Sequence, residues 1–398
     1  MYIKNYFVIP VEMIYREIDS RLLLALNLLK YNVPVIFGWQ DEIRENINKF
    51  DNSVYFDKSL SSNKYDFFKE LKKLNYDIIS NDEEGNGFYD NPWIYLRQRV
   101  NDRNLNLCYK YILWSKDEEK FFKQYIKSNN YIVMGNPRVD IWRNKNTNLL
   151  YEKDIKDILR QYERYSIITT NFGYPHCNGS DFLLEQAIGM NLVKDNADAW
   201  YFRENLNRKR HEYNHFLKSL DKLVKSNSDK KYILRPHPSE HFQKWEELMG
   251  KYPNVKVVYS KMVTPWLLSA EKVYTGFQCT TGYESVLLGK DTYEMQDIYS
   301  KIYDFKEYKY SQNSNPPINF SENFSKYINA NFIFERSTLT NMQSLKCNSQ
   351  YEKQKWPGFD FNKLCEKAQI LNNIFNIGLK NININKISEN MASLNNNN

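Results

Sequence analysis

The chain has 398 residues, more than one hydrophobic core usually serves, so two domains are predicted. Hydrophobic residues make up 42% of the sequence and charged residues 26%, which excludes a largely disordered chain. The net charge of +7 favours phosphorylated or otherwise anionic ligands, but the basic residues are too dispersed to indicate a nucleic-acid partner.

Membrane and cysteine signals are weak. No apolar run approaches the roughly 18 residues that a membrane-spanning helix requires, and residues 1–10 read as a strand instead of a signal peptide. These features predict a cytoplasmic protein, and peripheral attachment to the inner face of the membrane through basic patches stays open. The 5 cysteines are scattered and form no CxxC pair, so neither a metal site nor redox chemistry is indicated.

The first part of the chain alternates between strand and helix patterns. Strand-like apolar runs cover residues 6–12, 33–38, 76–80, 110–114 and 131–134, and helical spacing covers 19–29, 64–74 and 118–126. This alternation predicts a parallel sheet covered by helices. An asparagine-rich stretch near residue 146 is typical of a linker, so the first domain is predicted to span residues 1–146.

The second part repeats this pattern. Strands are predicted at residues 165–169, 232–234, 255–258 and 272–275, with a largely helical stretch at 182–225. A second parallel-sheet domain is therefore expected over residues 147–340, followed by a helical segment at 341–385 and a disordered tail at 386–398. The fold class is α/β, with two such domains facing one another across a cleft.

The loop Arg235-Pro236-His237-Pro238-Ser239-Glu240 follows a predicted strand directly. Its prolines fix the backbone, and the residues behind them can open a helix whose N–H groups attract phosphate. Arg235 and His237 are then expected to contact an anionic ligand. The alternative is a rigid turn around a buried, hydrogen-bonded histidine.

A second loop, residues 275–284, has the same character. Thr280 and Thr281 can cap a helix that starts near Gly282 and can also donate to phosphate oxygens. Glu284 stands three residues after Thr281, so a plain capping box is the alternative. Two such loops in one domain favour a nucleotide, although neither is a Walker loop or a GxGxxG motif.

Charged residues also follow strands in the first domain. Glu12 and Arg16 stand at the end of the first strand, where they either meet an acidic substrate or begin a helix. The acidic turn 82–85, with Glu83 and Glu84, follows a buried strand, and ligands of such sheets bind at the carboxyl ends of strands.

The order of these motifs over residues 10–290 resembles the bacterial surface-carbohydrate biosynthesis proteins. These form a branch of the two-Rossmann-domain (GT-B) glycosyltransferases similar to the retaining β-Kdo transferases of capsule and O-antigen assembly. The resemblance rests on residues 12, 16–19, 82–85, 135–140, 170–172, 237–238 and 280–281.

The resemblance implies a CMP-activated keto sugar acid, such as CMP-Kdo, as donor and a surface-polysaccharide or lipid-linked glycan as acceptor. No cofactor or metal is implied, because basic groups and helix ends would hold the leaving nucleotide. The nucleotide would be bound by the second domain, through Arg235, His237, Pro238, Ser239, Glu240, Thr280, Thr281 and Glu284, with Glu240 or Glu284 taking ribose hydroxyls. The substrate would be bound by Glu12, Arg16, Arg138 and Asn171.

The resemblance also implies a catalytic carboxylate after the first strand of the second domain, where Asp181 is the nearest acid. A carboxylate suits this role because it stabilises an oxocarbenium-like transition state. If Asp181 only caps a helix, Glu83 or Glu84 would act as a general base with inversion of configuration, and His176 is a third candidate.

Two other functions stay open at this point. One is transfer from another nucleotide donor, such as a UDP- or GDP-sugar or a CDP-polyol, since one fold serves many donors. The other is a non-catalytic binding protein of glycan assembly. The acceptor, the linkage, the stereochemical course and the oligomeric state are not specified by the sequence.

Overall fold

The computed structural model describes residues 2–83, 99–173, 185, 188–189, 193, 195–238, 240–260, 262–276, 279–295, 303–304, 319–334, 342–345, 361–380, 382 and 384–387. In chain order, strands β1–β16 are Tyr2–Lys4, Phe7–Val11, Val35–Trp39, Val54–Asp57, Asp77–Asn81, Cys108–Leu113, Tyr131–Val133, Ser166–Thr169, Tyr232–Arg235, Val255–Val257, Lys272–Thr275, Asp291–Glu294, Tyr303–Asp304, Phe332–Phe334, Met342–Leu345 and Ile384–Ile387.

The helices, α1–α14, are Ile14–Lys30, Gln40–Glu45, Tyr65–Lys73, Asp102–Leu107, Lys116–Tyr125, Pro137–Arg143, Thr147–Leu150, Glu152–Tyr162, Asn196–Ser226, Phe242–Met249, Thr264–Ser269, Thr280–Leu287, Phe320–Asn331 and Phe361–Ile374. Two short 3-10 helices cover Ile47–Phe50 and Ser62–Lys64. Within the described ranges, no helix is long and apolar enough to span a bilayer. The chain divides into two compact units, Met1–Leu150 with Pro316–Asn398, and Tyr151–Asn315.

The first unit is built on a sheet with the strand order β16-β15-β3-β2-β4-β5-β6-β7. All neighbouring strands in it are parallel. The first three strands of the sheet in chain order, β2, β3 and β4, are buried along their whole length, as expected for a parallel sheet covered on both faces. Because β3 and β4 lie on opposite sides of β2, the strand order reverses there, and the loops after β2 and β4 diverge.

The C-terminal segment completes the first unit. The leucine-rich helix α1 packs on β2 and on the helices α13 and α14. The Asp140 carboxylate caps α13, accepting the backbone N–H groups of Phe320 and Ser321 at 2.9 and 2.8 Å. Burial raises the pKa of Asp140 to about 6, although these N–H groups act in the opposite direction. In addition, β14 pairs with β1, and β15 pairs with β3.

These contacts differ from the predicted domain bounds. The sequence predicts residues 320–334 in the second domain, but α13 and β14 belong to the first unit, because Asp140 and β1 supply their partners. The first boundary lies after Leu150 instead of residue 146. The helix α14 falls in the predicted helical segment, and β16 includes residues 386 and 387 of the predicted tail. Residues 388–398 lie outside the described part of the chain.

The second unit is built on a sheet with the order β10-β9-β8-β11-β12-β13, parallel except for β13. One apolar cluster, including Phe216 and Trp245, packs α9 and α10 on the sheet, and another, including Trp266, packs α8 and α11. The strand order reverses at β8, which lies between β9 and β11. The prediction of an α/β fold with two Rossmann-like parallel-sheet domains is confirmed.

Candidate functional site

The carboxyl edge of the second sheet joins two of the loops singled out in the sequence. The loop after β8 begins at Thr170, and the loop after β9 contains His237. The Thr170 hydroxyl accepts the backbone N–H of His237 at 3.1 Å and donates to Oε2 of Glu240 at 2.5 Å. The loop that carries the His-Pro motif is therefore fixed to the neighbouring strand end.

Glu240 is the centre of this junction. Its side chain is 6% exposed, and Oε1 accepts the backbone N–H groups of Phe172 and Gly173 at 2.7 and 3.1 Å. Its Oε2 accepts the indole N–H of Trp245 at 2.8 Å, besides the Thr170 hydroxyl. Burial raises the pKa of Glu240, against the lowering effect of these hydrogen bonds. Both oxygens thus have protein donors, which the predicted contact with ribose did not anticipate.

The His-Pro motif itself faces solvent. His237 and Pro238 are exposed, so the alternative of a turn around a buried histidine is not what the fold adopts. A turn closes behind the motif, since the backbone N–H of Glu240 donates to the carbonyl of His237 at 2.9 Å. The imidazole is therefore carried on the surface by a loop whose two ends are held.

Arg235 and Glu284, both predicted to contact the nucleotide, lie inside the second unit. They are 5% and 3% exposed. Burial lowers the pKa of Arg235, and the negative charge of Glu284 raises it. Glu284 also accepts the Thr264 hydroxyl at 2.6 Å. These two opposite charges therefore interact in the interior of the second unit, and their contact with a nucleotide stays a prediction.

The helix α12 begins earlier than predicted and has a different cap. Its first residue is Thr280, its N-cap is Cys279, and no described side chain caps it. The predicted capping box does not form, because the Glu284 carboxylate is turned to Thr264. Thr280 and Thr281 are the first two residues of α12, in the turn where backbone N–H groups attract anions. Thr280 is exposed and Thr281 is half-buried.

Asn171 and Gly276 meet where the strand order of the second sheet reverses. The backbone N–H of Gly276 donates to the carbonyl of Thr169 at 3.1 Å, which fastens the end of β11 to that of β8. A methyl group on Gly276 would overlap the side-chain oxygen of Asn171. Only glycine therefore allows the carboxamide of Asn171 to lie at this strand end, close to the start of α12.

The first unit has a different arrangement at its own reversal point. Lys58, after β4, has its Nζ 2.9 Å from Oε2 of Glu12 and 3.1 Å from Oε1 of Glu17. The backbone N–H of Glu12 donates to Oε2 of Glu17 at 2.8 Å, and Gln40 donates to Glu12 at 3.3 Å. Burial would raise the pKa of Glu17, but Lys58, Arg21 and Arg16 outweigh it and hold the pKa below its usual value.

A second buried charge pair lies after β5. Oε1 of Glu83 is 2.6 Å from Nη2 of Arg21, and the two side chains are 2% and 1% exposed. Arg138 donates to the backbone carbonyl of Glu83 at 3.2 Å and lies over the ring of Trp142. Arg99 pairs with the neighbouring Asp82. Glu83 is thus paired with Arg21 in the interior, and Arg138 binds the backbone of Glu83.

Several predicted site residues cannot be placed on this framework. Asp181, His176, Glu84 and Ser239 lie outside the described residues. Arg16 is exposed at the start of α1, and Glu12 is half-exposed beside Lys58. Among the described side chains, no group of three His, Cys, Asp or Glu is placed to hold a metal ion.

The site also includes residues that sequence reasoning did not single out. In the first unit, Lys58 and Arg21 pair with buried carboxylates. In the second unit, Trp245 donates to Glu240, and Gly276 leaves room for the Asn171 side chain. The one sequence signal for Gly276 was its place directly after a strand. Lys58 pairs with Glu12 and Glu17, and Arg21 pairs with Glu83, so these partners are distant in the chain and no local pattern marks them. The partner of Trp245, Glu240, stands five residues earlier.

No family model matches the sequence, and no curated protein sequence matches it. Among solved structures, the chain is similar to UDP-GlcNAc 2-epimerase from Neisseria meningitidis bound to UDP-GlcNAc, with 14% identity, 75% of this chain and 84% of that chain covered, and a TM-score of 0.48.

It is also similar to the wall teichoic acid polymerase TagF, with 11% identity, 94% and 88% coverage and a TM-score of 0.43. A third similar structure is HepE from Anabaena in complex with UDP, with 11% identity, 94% and 97% coverage and a TM-score of 0.37. These proteins are remote from this chain in sequence.

Proposed function

We propose that this protein is a glycosyltransferase that takes a sugar from a nucleotide-activated donor and binds the nucleotide at the carboxyl edge of the second sheet. One observation carries the proposal: the strand order of this sheet reverses next to the start of α12, which no described side chain caps, and next to two loops that are tied together. Ligands of open α/β sheets bind at such reversal points, and phosphates bind at helix starts.

The residues divide the nucleotide contacts between them. The backbone N–H groups and hydroxyls of Thr280 and Thr281 would hold phosphate oxygens, since both residues are in the first turn of α12. His237 would contact the nucleotide from the exposed surface of its loop. The positive charge of helix ends and basic groups would carry the leaving phosphate without a metal ion.

We propose a CMP-activated keto sugar acid as the donor, on the strength of the motif order, and a surface-polysaccharide or lipid-linked glycan as the acceptor, bound by the first unit. Because donor preference changes readily on one fold, UDP, GDP and CDP derivatives are the competing donors. Transfer would take place in the cytoplasm or at the inner face of the membrane.

For the chemical step we propose Asp181 as the nucleophile, which would attack the anomeric carbon and retain its configuration. If Glu84 or Glu83 acts as general base, a single displacement inverts the configuration, and His176 is the third candidate base. For Glu83, proton transfer would require its ion pair with Arg21 to open. The anomeric configuration of the product, read by NMR, separates the two courses.

A thermal-shift panel with CMP, UDP, GDP, CDP and no ligand, in EDTA, tests the nucleotide site. A ligand at a hundred times its dissociation constant adds about 2.7 kcal/mol of stability, which raises the melting temperature measurably. We expect the largest rise with CMP. A rise with UDP, GDP or CDP alone would change the donor.

Two variants make the panel specific. His237→Ala removes an exposed side chain of the site and should reduce the nucleotide-induced rise. Arg164→Ala, which removes an exposed cation just before β8 at the opposite edge of the same sheet, is the matched control and should leave the rise unchanged. An equal response of both variants would place the nucleotide elsewhere.

Activity separates an enzyme from a binding protein. With the donor identified by the panel, purified protein should release free nucleotide in the presence of acceptor glycan, and Asp181→Asn should abolish this release while keeping the thermal shift. Nucleotide binding without release by the unaltered protein, over a range of glycan acceptors, would favour the non-catalytic binding protein.

A further inference from the structure

We propose that Glu240 is a positioning residue, whose carboxylate sets the loop 170–173 and the place of His237, and that it does not itself contact the ribose. The expected effect of Glu240 on nucleotide affinity rests on the proposed function, whereas its effect on the conformation of the loop does not. Thr170 and Trp245 complete the hydrogen-bonded arrangement around the Glu240 carboxylate.

The first step of the argument is the number and origin of the donors. Within the described residues, the Glu240 carboxylate accepts four hydrogen bonds, two on each oxygen. Three of the donors belong to Thr170, Phe172 and Gly173 in the loop after β8, and the fourth is the Trp245 indole on α10. One buried carboxylate therefore fixes three positions of a loop that has no strand or helix pairing of its own.

The second step is the direction of the hydrogen bonds through Thr170. A hydroxyl has one proton to donate. Because the Thr170 proton goes to Glu240, its oxygen is left to accept the His237 backbone N–H. Glu240 thus orients the hydroxyl that holds the His-Pro loop, and the effect reaches an exposed residue through a single intermediate.

The third step is that only an ionised carboxyl group fits. A glutamine would place an NH2 group either toward the Phe172 and Gly173 amides or toward the Thr170 hydroxyl and the Trp245 indole. In either orientation, the NH2 group of the glutamine faces a buried N–H donor of the protein, and the loop must move so that both donors find acceptors. Glu240→Gln therefore disturbs the loop while it preserves side-chain size.

Ribose recognition and loop positioning are separated by measuring the affinity of CMP and of 2′-deoxy-CMP for the unaltered protein and for Glu240→Gln. We expect both ligands to weaken by the same factor, about tenfold, which corresponds to about 1.4 kcal/mol. The ratio of the two dissociation constants then stays as it was. A ratio that falls to one in Glu240→Gln would show a direct contact with the 2′-hydroxyl and overturn the proposal.

Hydrogen exchange of the Phe172 and Gly173 amides tests the same inference without a ligand. We expect faster exchange of both amides in Glu240→Gln, and no change in Glu247→Gln, a control on the exposed side of α10. Unchanged exchange in Glu240→Gln would contradict positioning whether or not any nucleotide binds. If CMP fails to bind the unaltered protein, the function proposal fails and this measurement still decides the present one.

A milder pair of variants covers the case in which Glu240→Gln does not fold. Thr170→Ser keeps the hydroxyl and should retain the slow exchange and the nucleotide affinity. Thr170→Val removes it and should accelerate exchange at Phe172 and weaken CMP several-fold. Equal behaviour of the two would mean that the hydroxyl does not link Glu240 to His237, and would overturn the proposal.

Discussion

The two sheets of this protein differ at the point where their strand order reverses. In the first sheet, the residues directly after β2 and β4 form paired charges before their loops diverge, with Lys58 between the carboxylates of Glu12 and Glu17. In the second sheet, the loops after β8 and β11 bring Asn171 against Gly276, and the following helix α12 has no side-chain cap among the described residues.

This difference shows how the same topology can be used in two ways. Opposite charges that pair inside the protein compensate each other, so the pair exerts little net electrostatic attraction on a ligand. A helix start without a carboxylate keeps its attraction for anions. The start of α12 in the second unit therefore suits an anion such as phosphate, whereas the buried charges of the first unit stabilise its own loops.

The largest effect is expected from breaking the buried pair of the first unit. Arg21→Met removes the cation beside Glu83 and leaves a buried carboxylate alone, which should cost about 3–5 kcal/mol of unfolding free energy. Urea denaturation measures this loss. Arg21→Met combined with Glu83→Leu should recover much of it, since no charge is then left unpaired. A double variant as unstable as the single one would show that packing around Arg21, and not its charge, is what matters.

A smaller effect with a distinct pH dependence is expected at Glu17. Its pKa is below the usual value in the folded protein, so its contribution to stability is present above the unfolded pKa, near 4.3, and is lost as the pH falls. Glu17→Gln should therefore lose about 2 kcal/mol at pH 7, and the difference from the unaltered protein should shrink at pH 3.

Denaturation at the two pH values, with Glu12→Gln as the control on the exposed partner of Lys58, measures this dependence. The control should show a weaker effect because Glu12 is half-exposed. An unchanged difference between pH 7 and pH 3 would mean that the Glu17 carboxylate is not stabilised by its cations.

Much of this comparison could be read from the sequence, but not all. The apolar runs at 6–12 and 232–234 correspond to β2 and β9, and the motif after β9 stands at a strand end as predicted. The strand β4 was missed, and Lys58 with it; Val54–Asp57 pairs with β2 and β5. Pairing partners that are distant in the chain leave no local period.

The capping box shows the opposite failure, a local pattern overruled by the fold. Thr281 and Glu284 have the right spacing, yet Glu284 is turned to Thr264 and Arg235, which arrive from other parts of the second unit. Likewise, β14 and β15 join the first unit through β1 and β3, although the sequence after residue 291 has only a weak pattern. Local sequence patterns predict helices and strands, but contacts between distant residues decide which sheet or unit each of them joins.

In the second sheet, Gly276→Ala should act on binding more than on folding. The new methyl group would overlap the Asn171 side chain, which is flexible enough to move away, so the unfolding free energy should change little. The displaced carboxamide should weaken the nucleotide about tenfold, or about 1.4 kcal/mol. Titration calorimetry tests this, with Gly250→Ala, outside the strand ends, as control. Full affinity in Gly276→Ala would remove Asn171 from the site.

The smallest effect is expected for a charge pair that lies on the surface. Arg164 pairs with Glu271 in the second unit, and the Arg164 side chain is 88% exposed. Water screens such a pair, so Arg164→Ala should change the unfolding free energy by less than about 1 kcal/mol. Set beside Arg21→Met, this variant measures how much burial contributes to the effect of a charge pair. A loss as large as that of Arg21→Met would show that burial adds nothing to the effect of a charge pair.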